Sequence, residues 1–188
     1  TSRGKPPPTS FHIGESSVED GKAGGKERVT VGERLVPKRA IERNVLWIEA
    51  IETKIAESVG EETTRAILKA AGAECAEQIL VECEDILGSR PQTIDELLEA
   101  TNARRRRQLG LDSLWTREGN TAHLKIDACG CTLVKAGLAR PNPVHCLCTA
   151  GMFKTLFSAV CRGRVDVEVL QTIGDGDSAC EFSVRFEE

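Results

Sequence analysis

The sequence predicts an α+β protein in which a helical half precedes a β-β-α-β-β antiparallel sheet unit. Apolar residues recur at helical spacing through residues 38–108, which is the pattern of amphipathic helices. Between residues 114 and 188, short segments alternate apolar and polar side chains, which is the pattern of half-buried strands. One amphipathic helix interrupts these strands. Helices followed by strands with short connections form an α+β domain around one sheet.

The chain divides into a tail and a domain. Residues 1–34 contain a Pro-Pro-Pro run and a Gly-Gly pair and have almost no apolar pattern. Such a segment buries too little apolar surface to offset its ordering entropy, so we expect a flexible tail. Residues 35–188 are long enough for a single domain with its own core, with the helical half at 38–108 and the sheet half at 114–188.

The helical half is predicted to contain four helices. The first begins at Lys38, and the second runs from Glu61 and breaks near Gly72. The third ends at Gly88. Thr93 then caps the fourth, because a Glu follows three residues later and completes a capping box.

The sheet half is predicted to contain four strands and one helix. The strands fall at Leu114–Thr116, Thr121–Asp127, Val165–Val169 and Cys180–Phe186. The helix runs from about Cys146 to Cys161 between the second and third strands. The order is that of an antiparallel sheet with one helical crossover.

The composition of the chain indicates which classes of binding partner and which cellular compartment to expect. A formal net charge of -4 does not favour nucleic acid. No apolar run approaches the ~20 residues of a membrane span, so we expect no membrane partner. Eight cysteines without a secretory signal indicate a reducing, cytoplasmic location. A small molecule is the expected ligand, and a homodimer is compatible with this composition.

Aromatic residues are few, so each is a candidate for the wall of a ligand pocket. The chain has no Tyr, two Trp and five Phe. The pocket is predicted between the helices and the sheet, and its walls are predicted to be Trp47, Trp115, Phe153 and Phe157. Each of them is equally consistent with an ordinary core position.

Two cysteine pairs, Cys129-Gly130-Cys131 and Cys146-Leu147-Cys148, stand out in the sheet half. Fourteen residues separate them. Thiolates bind soft and borderline metals, and a tetrahedral site needs four donors. The first pair follows a strand and the second begins a predicted helix, so the two pairs can face each other. The sequence therefore predicts a cysteine metal site holding zinc, with an iron–sulfur cluster as the alternative. Plain buried thiols and a redox dithiol stay open.

Three further residues are candidate ligands or acid/base groups. His145 adjoins the second cysteine pair, although a lone His beside a helix start is more often a capping or surface group. Glu168 has the opposite parity to the valines of its strand and is expected on the exposed face. Cys180 shares its parity with Phe182 and is expected in the core.

The segments His145–Gly151, Arg164–Val169 and Gly174–Phe182, together with Phe157, resemble the 4-vinyl-reductase-like domain. The last segment carries a Gly…Cys-x-Phe signature of that family. The resemblance covers about residues 114–188 and is closest to a branch labelled as similar to 2-aminothiazoline-4-carboxylate hydrolase. It implies a small-molecule sensor or carrier with an apolar pocket, and zinc ligands at Cys148, Glu168 and Cys180. Gln171 stands where the family has a further cysteine.

Taken together, the residues and the resemblance predict a metal-stabilised small-molecule-binding domain. Two alternatives remain open. The first is a metal-dependent hydrolase of a small cyclic substrate, which needs a metal with an open coordination position. The second is an iron–sulfur or thiol redox protein. Whether the protein is an enzyme is not decided by the sequence.

Overall fold

The structure is a computed structural model that describes residues 28–31, 34–110, 112 and 114–187. Strands β1 (Arg28–Val31) and β2 (Arg34–Pro37) pair antiparallel in a hairpin. This hairpin overlaps the end of the predicted tail and was not predicted. The rest of the predicted tail, residues 1–27 and 32–33, lies outside the described residues.

The predicted α+β class and element order are confirmed. Two helices, α1 (Lys38–Leu87) and α2 (Ile94–Leu109), precede the sheet half. The sheet half consists of β3 (Thr116–Glu118), β4 (Thr121–Ile126), α3 (Thr132–Lys135), α4 (Pro143–Ser158), β5 (Val165–Gln171) and β6 (Cys180–Phe186). The four strands form one antiparallel sheet in the order β3-β4-β6-β5. The first of them begins two residues later than predicted, and α3 was not predicted.

The helical half contains fewer breaks than predicted. The backbone of α1 is kinked at Gly60, whose φ of 77° and ψ of 168° are accessible to glycine without steric cost. This kink matches the predicted start of a new helix at Glu61. The predicted break near Gly72 is wrong, because the helix continues through it to Leu87. None of the described helices is long and apolar enough to cross a membrane.

Gly72 does not end a helix but allows two helices to pack closely against each other. A Cβ at Gly72 would lie 2.0 Å from the carbonyl oxygen of Cys148 on α4. A Cβ at Gly151 on α4 would lie 1.9 Å from the carbonyl oxygen of Lys69 on α1. The two helices therefore cross with their backbones in contact, which only glycine at these positions permits. This close crossing brings side chains of α1 to those of α4.

The core lies between the helices and one face of the sheet. Along β6, Phe182, Val184 and Phe186 are buried, as the predicted alternation requires. The centroid of the Trp115 ring lies 4.8 Å from that of Phe153 and 5.3 Å from that of Phe157, and both pairs are arranged edge to face. Such pairs add about 0.5–1.5 kcal/mol each beyond the burial of their area. These rings hold α4 against the sheet.

Polar caps define where the helices begin. The Thr93 hydroxyl accepts the backbone N–H of Glu96 at 3.2 Å, and the Glu96 carboxylate accepts the N–H of Gln92 at 2.7 Å. The predicted cap of α2 is thus confirmed. Helix α4 begins earlier than predicted, with Pro143 in its first position and Asn142 as its N-cap.

Candidate functional site

His145 lies in the first turn of α4 and is buried, with 7% of its surface exposed. The expectation that it is a capping or surface group is wrong. The Asn142 cap and Pro143 start α4 before the cysteine pair, so His145 already lies within the helix and faces α1. The alternative prediction was that His145 is a ligand or an acid/base group, and this role depends on the groups that contact its two ring nitrogens.

Both ring nitrogens of His145 have hydrogen-bond partners. Nδ1 lies 2.6 Å from Oε1 of Glu52, a residue of α1 that is 8% exposed. Nε2 lies 3.4 Å from Sγ of Cys131. A thiol, an imidazole and a carboxylate are therefore arranged in a row. This is the order in which a nucleophile, an acid/base group and an orienting group stand in cysteine-dependent enzymes.

Cys131 lies immediately before α3, where it is partly exposed. Burial raises the pKa of its thiol, but the hydrogen bond from His145, the backbone N–H groups of Val134 and Leu133, and the imidazolium charge outweigh burial. The net result is a pKa below the ordinary value for cysteine. The thiolate is the reactive form of cysteine. The surroundings of Cys131 thus favour its reactive form.

His145 has a pKa that is shifted in the opposite direction to that of Cys131. Its hydrogen bonds to Cys131 and then to Glu52 raise its pKa to about 10, although burial opposes this rise. At neutral pH the imidazole therefore carries a proton on both nitrogens and donates to Cys131 and to the Glu52 carboxylate. The site holds an imidazolium between a buried carboxylate and a cysteine whose pKa is lowered.

Asn142 connects two members of this row. Its Oδ1 accepts the backbone N–H of His145 at 2.8 Å, and its Nδ2 donates to Oε2 of Glu52 at 3.1 Å. The second oxygen of the Glu52 carboxylate is therefore also engaged in a hydrogen bond. Nearby, the exposed Arg140 side chain lies 3.6 Å from the Glu49 carboxylate.

The other predicted metal ligands have different surroundings. Burial is the main reason why the pKa values of these three thiols are raised. The pKa of Cys129 lies above its ordinary value, that of Cys146 is raised to about 11, and that of Cys148 is raised to about 12. A zinc ion or an iron–sulfur cluster needs several donors that converge on one point. Among the residues that the structure describes, no three His, Cys, Asp or Glu side chains could hold a metal ion. The four-cysteine site is thus not supported by this arrangement.

The ligand set implied by the family resemblance is also dispersed. Glu168 is exposed and pairs with Ser183, on the sheet face opposite to Phe182. Cys180 is buried, and its sulfur accepts the backbone N–H of Ile173 at 3.4 Å. Cys148 lies on α4, on the other side of the sheet from Glu168. In the described part of the chain, the implied zinc ligands do not meet.

The predicted pocket walls separate into two groups. Trp115, Phe153 and Phe157 contact one another in the core, whereas Trp47 is 65% exposed on α1. Two surface depressions of the described residues measure about 480 Å³ and 210 Å³, and none of these four aromatic residues lines them. The space between α4 and the sheet is occupied by aromatic side chains.

Glu52 and Asn142 were not predicted as site residues, although each has a signal in the sequence. Glu52 is a charged residue in register with the apolar stripe of Val45, Ile48 and Ile55, at spacings of three or four. A charged residue in such a stripe is buried only when it has a partner. Asn142 precedes Pro143, which together form a helix-start signal.

The fold and the site define an α+β protein with a buried histidine that links a cysteine to a carboxylate. A family of unknown function, DUF6144, matches residues 18–187, and the chain belongs to this family. A comparison with curated proteins found no match.

Solved structures that are similar to this chain include two that contain a small molecule. One is a trafficking protein particle complex subunit 3 from Naegleria fowleri, covalently bound to palmitic acid. It is 15% identical, with a TM-score of 0.53, and the match covers 80% of this chain and 97% of that one. The phenol-responsive sensory domain of the transcription activator PoxR, with phenol, is 12% identical with a TM-score of 0.44, covering 88% and 83%. The first likeness shows a shared fold.

Proposed function

We propose that this protein is a small-molecule carrier or sensor that binds an acyl compound covalently through Cys131. The observation that carries the proposal is the row formed by Cys131, His145 and Glu52, with contacts of 3.4 Å and 2.6 Å. In this row Cys131 is the nucleophile and His145 is the general acid. Glu52 orients the imidazole and stabilises its charge.

The reaction begins with an activated acyl compound, either an ester or a thioester. The thiolate form of Cys131 attacks the carbonyl carbon through Sγ, a C–S bond forms, and the bond from that carbon to the leaving group breaks. The leaving alkoxide or thiolate takes the proton from Nε2 of His145. The products are a thioester on Cys131, a neutral His145 and a protonated leaving group.

Glu52 determines which nitrogen of His145 exchanges this proton. Its carboxylate lies 2.6 Å from Nδ1, so Nδ1 keeps its proton throughout and Nε2 is the atom that loses it. The buried carboxylate also compensates the imidazolium charge before the reaction. His145 is thus protonated at neutral pH and can act as a general acid.

The fate of the thioester distinguishes a carrier from a hydrolase. A carrier retains it. In a hydrolase, neutral His145 takes a proton from water, the resulting hydroxide attacks the carbonyl, and Cys131 leaves as a thiolate. Two likenesses favour the carrier: the resemblance to 4-vinyl-reductase-like domains, which implies a sensor or carrier, and the shared fold with a protein covalently bound to palmitic acid.

The experiment is acylation followed by peptide mass spectrometry. The full chain is incubated with p-nitrophenyl acetate or with palmitoyl-coenzyme A, and the acyl group is located among the eight cysteines. We expect a hydroxylamine-sensitive adduct on Cys131 that Cys131→Ser abolishes. Cys161→Ser is the matched control, since Cys161 is also partly exposed but donates to a carbonyl oxygen of Glu187 instead of meeting an imidazole.

Three outcomes are informative. A stable adduct confined to Cys131 supports the carrier. Continuous release of p-nitrophenolate that requires Cys131 but leaves no adduct supports the hydrolase instead. Adducts spread evenly over exposed cysteines, or none at all, overturn the proposal that Cys131 is an activated nucleophile.

Zinc at Cys129, Cys131, Cys146 and Cys148 stays a prediction from the sequence, with an iron–sulfur cluster as its alternative. Negative charge on Cys129 raises the pKa of Cys146, and charge on Cys131 raises that of Cys148, so the thiols influence one another. Metal analysis with a visible spectrum, on protein purified without chelator, checks this prediction. A metal bound by Cys131 would displace its contact with His145, so one metal per chain, lost in Cys131→Ser, contradicts the covalent proposal.

A further inference from the structure

We infer that Asn142 is a positioning residue of the Cys131 site, an inference that rests on the proposed function. Among the described residues, two of the three side-chain hydrogen bonds of Asn142 are made to His145 and to Glu52, and the third is a longer one from Nδ2 to the carbonyl oxygen of Arg140 at 3.4 Å. Its Oδ1 accepts the backbone N–H of His145 at 2.8 Å, and its Nδ2 donates to Oε2 of Glu52 at 3.1 Å. One side chain therefore places both the histidine and the carboxylate that orients it.

An amide is suited to this pair of contacts for a chemical reason. The backbone N–H of His145 requires an acceptor, and the Glu52 carboxylate requires a donor. A carboxamide presents an acceptor and a donor on separate atoms. An aspartate at this position caps a helix equally well but places a second negative charge against Glu52. A serine keeps an acceptor for the cap and is too short to retain the same second contact.

The contacts of Asn142 leave the Glu52 carboxylate little freedom. Oε2 is held by Asn142 and Oε1 by Nδ1 of His145, at 3.1 Å and 2.6 Å. Glu52 belongs to α1, whereas Asn142 and His145 belong to the start of α4. Asn142 therefore couples the angle of the carboxylate to the helix that carries the imidazole.

The backbone of Asn142 is packed against the 3-10 turn Ile173–Asp175, which lies between β5 and β6. Its carbonyl oxygen accepts the N–H of Cys146 at 3.1 Å. A Cβ at Gly174 would lie 2.6 Å from the same oxygen, so this turn packs directly against Asn142. These two contacts restrict the backbone from which the Asn142 side chain projects.

Alkylation of Cys131 by iodoacetamide tests the inference, because the rate follows the fraction of thiolate. The rate is measured on the Cys131 peptide between about pH 5 and pH 10 in the full chain. In Asn142→Ser the cap remains while Glu52 loses its donor and turns away from His145. We expect the pH profile to move upward by about one unit, with a fall of about tenfold in rate at pH 6.

Two comparisons separate positioning from a structural role. Thr93→Ala removes the side-chain cap of α2, which is a hydrogen bond from the Glu96 N–H to Thr93, and is the matched control for loss of a cap. It is expected to leave the profile of Cys131 unchanged. In a Glu52→Gln background, Asn142→Ser should change the rate less than twofold, because residues that act through one another are not additive.

The outcomes distinguish this inference from the proposed function. If wild-type Cys131 is no more reactive than an ordinary thiol, the proposed function fails. If wild-type Cys131 is reactive at pH 6 and Asn142→Ser has the same profile, the positioning role of Asn142 is overturned while the proposed function stands. Equal effects of Asn142→Ser with and without Glu52 would also overturn it.

Discussion

Replacing Glu52 by glutamine tests the charge arrangement of the site. The substitution preserves shape and removes the negative charge that faces His145. The rise of the His145 pKa from 6.5 to about 10 corresponds to about 5 kcal/mol in favour of the folded imidazolium. The hydrogen bond to Cys131 is the largest single cause of this rise and the hydrogen bond to Glu52 is the next, so we assign about 2 kcal/mol to Glu52, which is typical of a hydrogen bond to a charged group.

The cost of Glu52→Gln should depend on pH in a defined direction. Below pH 6.5, His145 is charged in both the folded and the unfolded chain, so the contact with Glu52 contributes fully to stability. As the pH rises through about 10, folded His145 loses its proton and this contribution is lost. We therefore expect the variant to lose about 2 kcal/mol of unfolding free energy at pH 6 and much less at about pH 10.5.

Urea denaturation of both chains at several pH values measures this difference. Glu57→Gln is the control, because Glu57 lies on the same helix in an exposed ion pair with Lys54. Its cost should stay within about 0.5 kcal/mol at every pH. An equal cost of Glu52→Gln at pH 6 and near pH 10.5 would refute the assignment of an imidazolium next to Glu52.

Three further predictions concern reactivity and packing. Half-maximal alkylation of Cys131 by iodoacetamide should occur below pH 9, the ordinary cysteine value, because its pKa is lowered; a midpoint at or above that pH contradicts this. Gly72→Ala should cost about 1–3 kcal/mol in urea denaturation, since its Cβ would lie 2.0 Å from the Cys148 oxygen; an unchanged midpoint would show that the helices do not cross this closely. Phe153→Ala should cost about 3–5 kcal/mol, whereas Trp47→Ala, at a 65% exposed site, should stay within about 0.5 kcal/mol; comparable costs would contradict the assignment of core and surface.

The sequence by itself determined the class of fold and the order of its sheet half. Alternation along β4 and β6 depends only on which face of a strand a residue occupies, so it is visible in a short window. The cap at Thr93 depends on a residue three positions away. The sequence also drew attention to Cys131 and His145, although it associated Cys131 with a metal and His145 with the surface. Properties that depend on near neighbours in the chain were therefore predictable.

Only the tertiary structure decided which groups meet in the site. Glu52 contacts His145 across 93 positions in the chain, and Asn142 contacts Glu52 across 90. No local pattern carries such a pairing, because it follows from the crossing of α1 and α4. Gly72 illustrates the same limit, since a glycine that locally favours a helix end instead admits a second backbone. The thiol, the imidazole and the carboxylate lie in one row because long-range helix packing, rather than local preference, sets the distances between them.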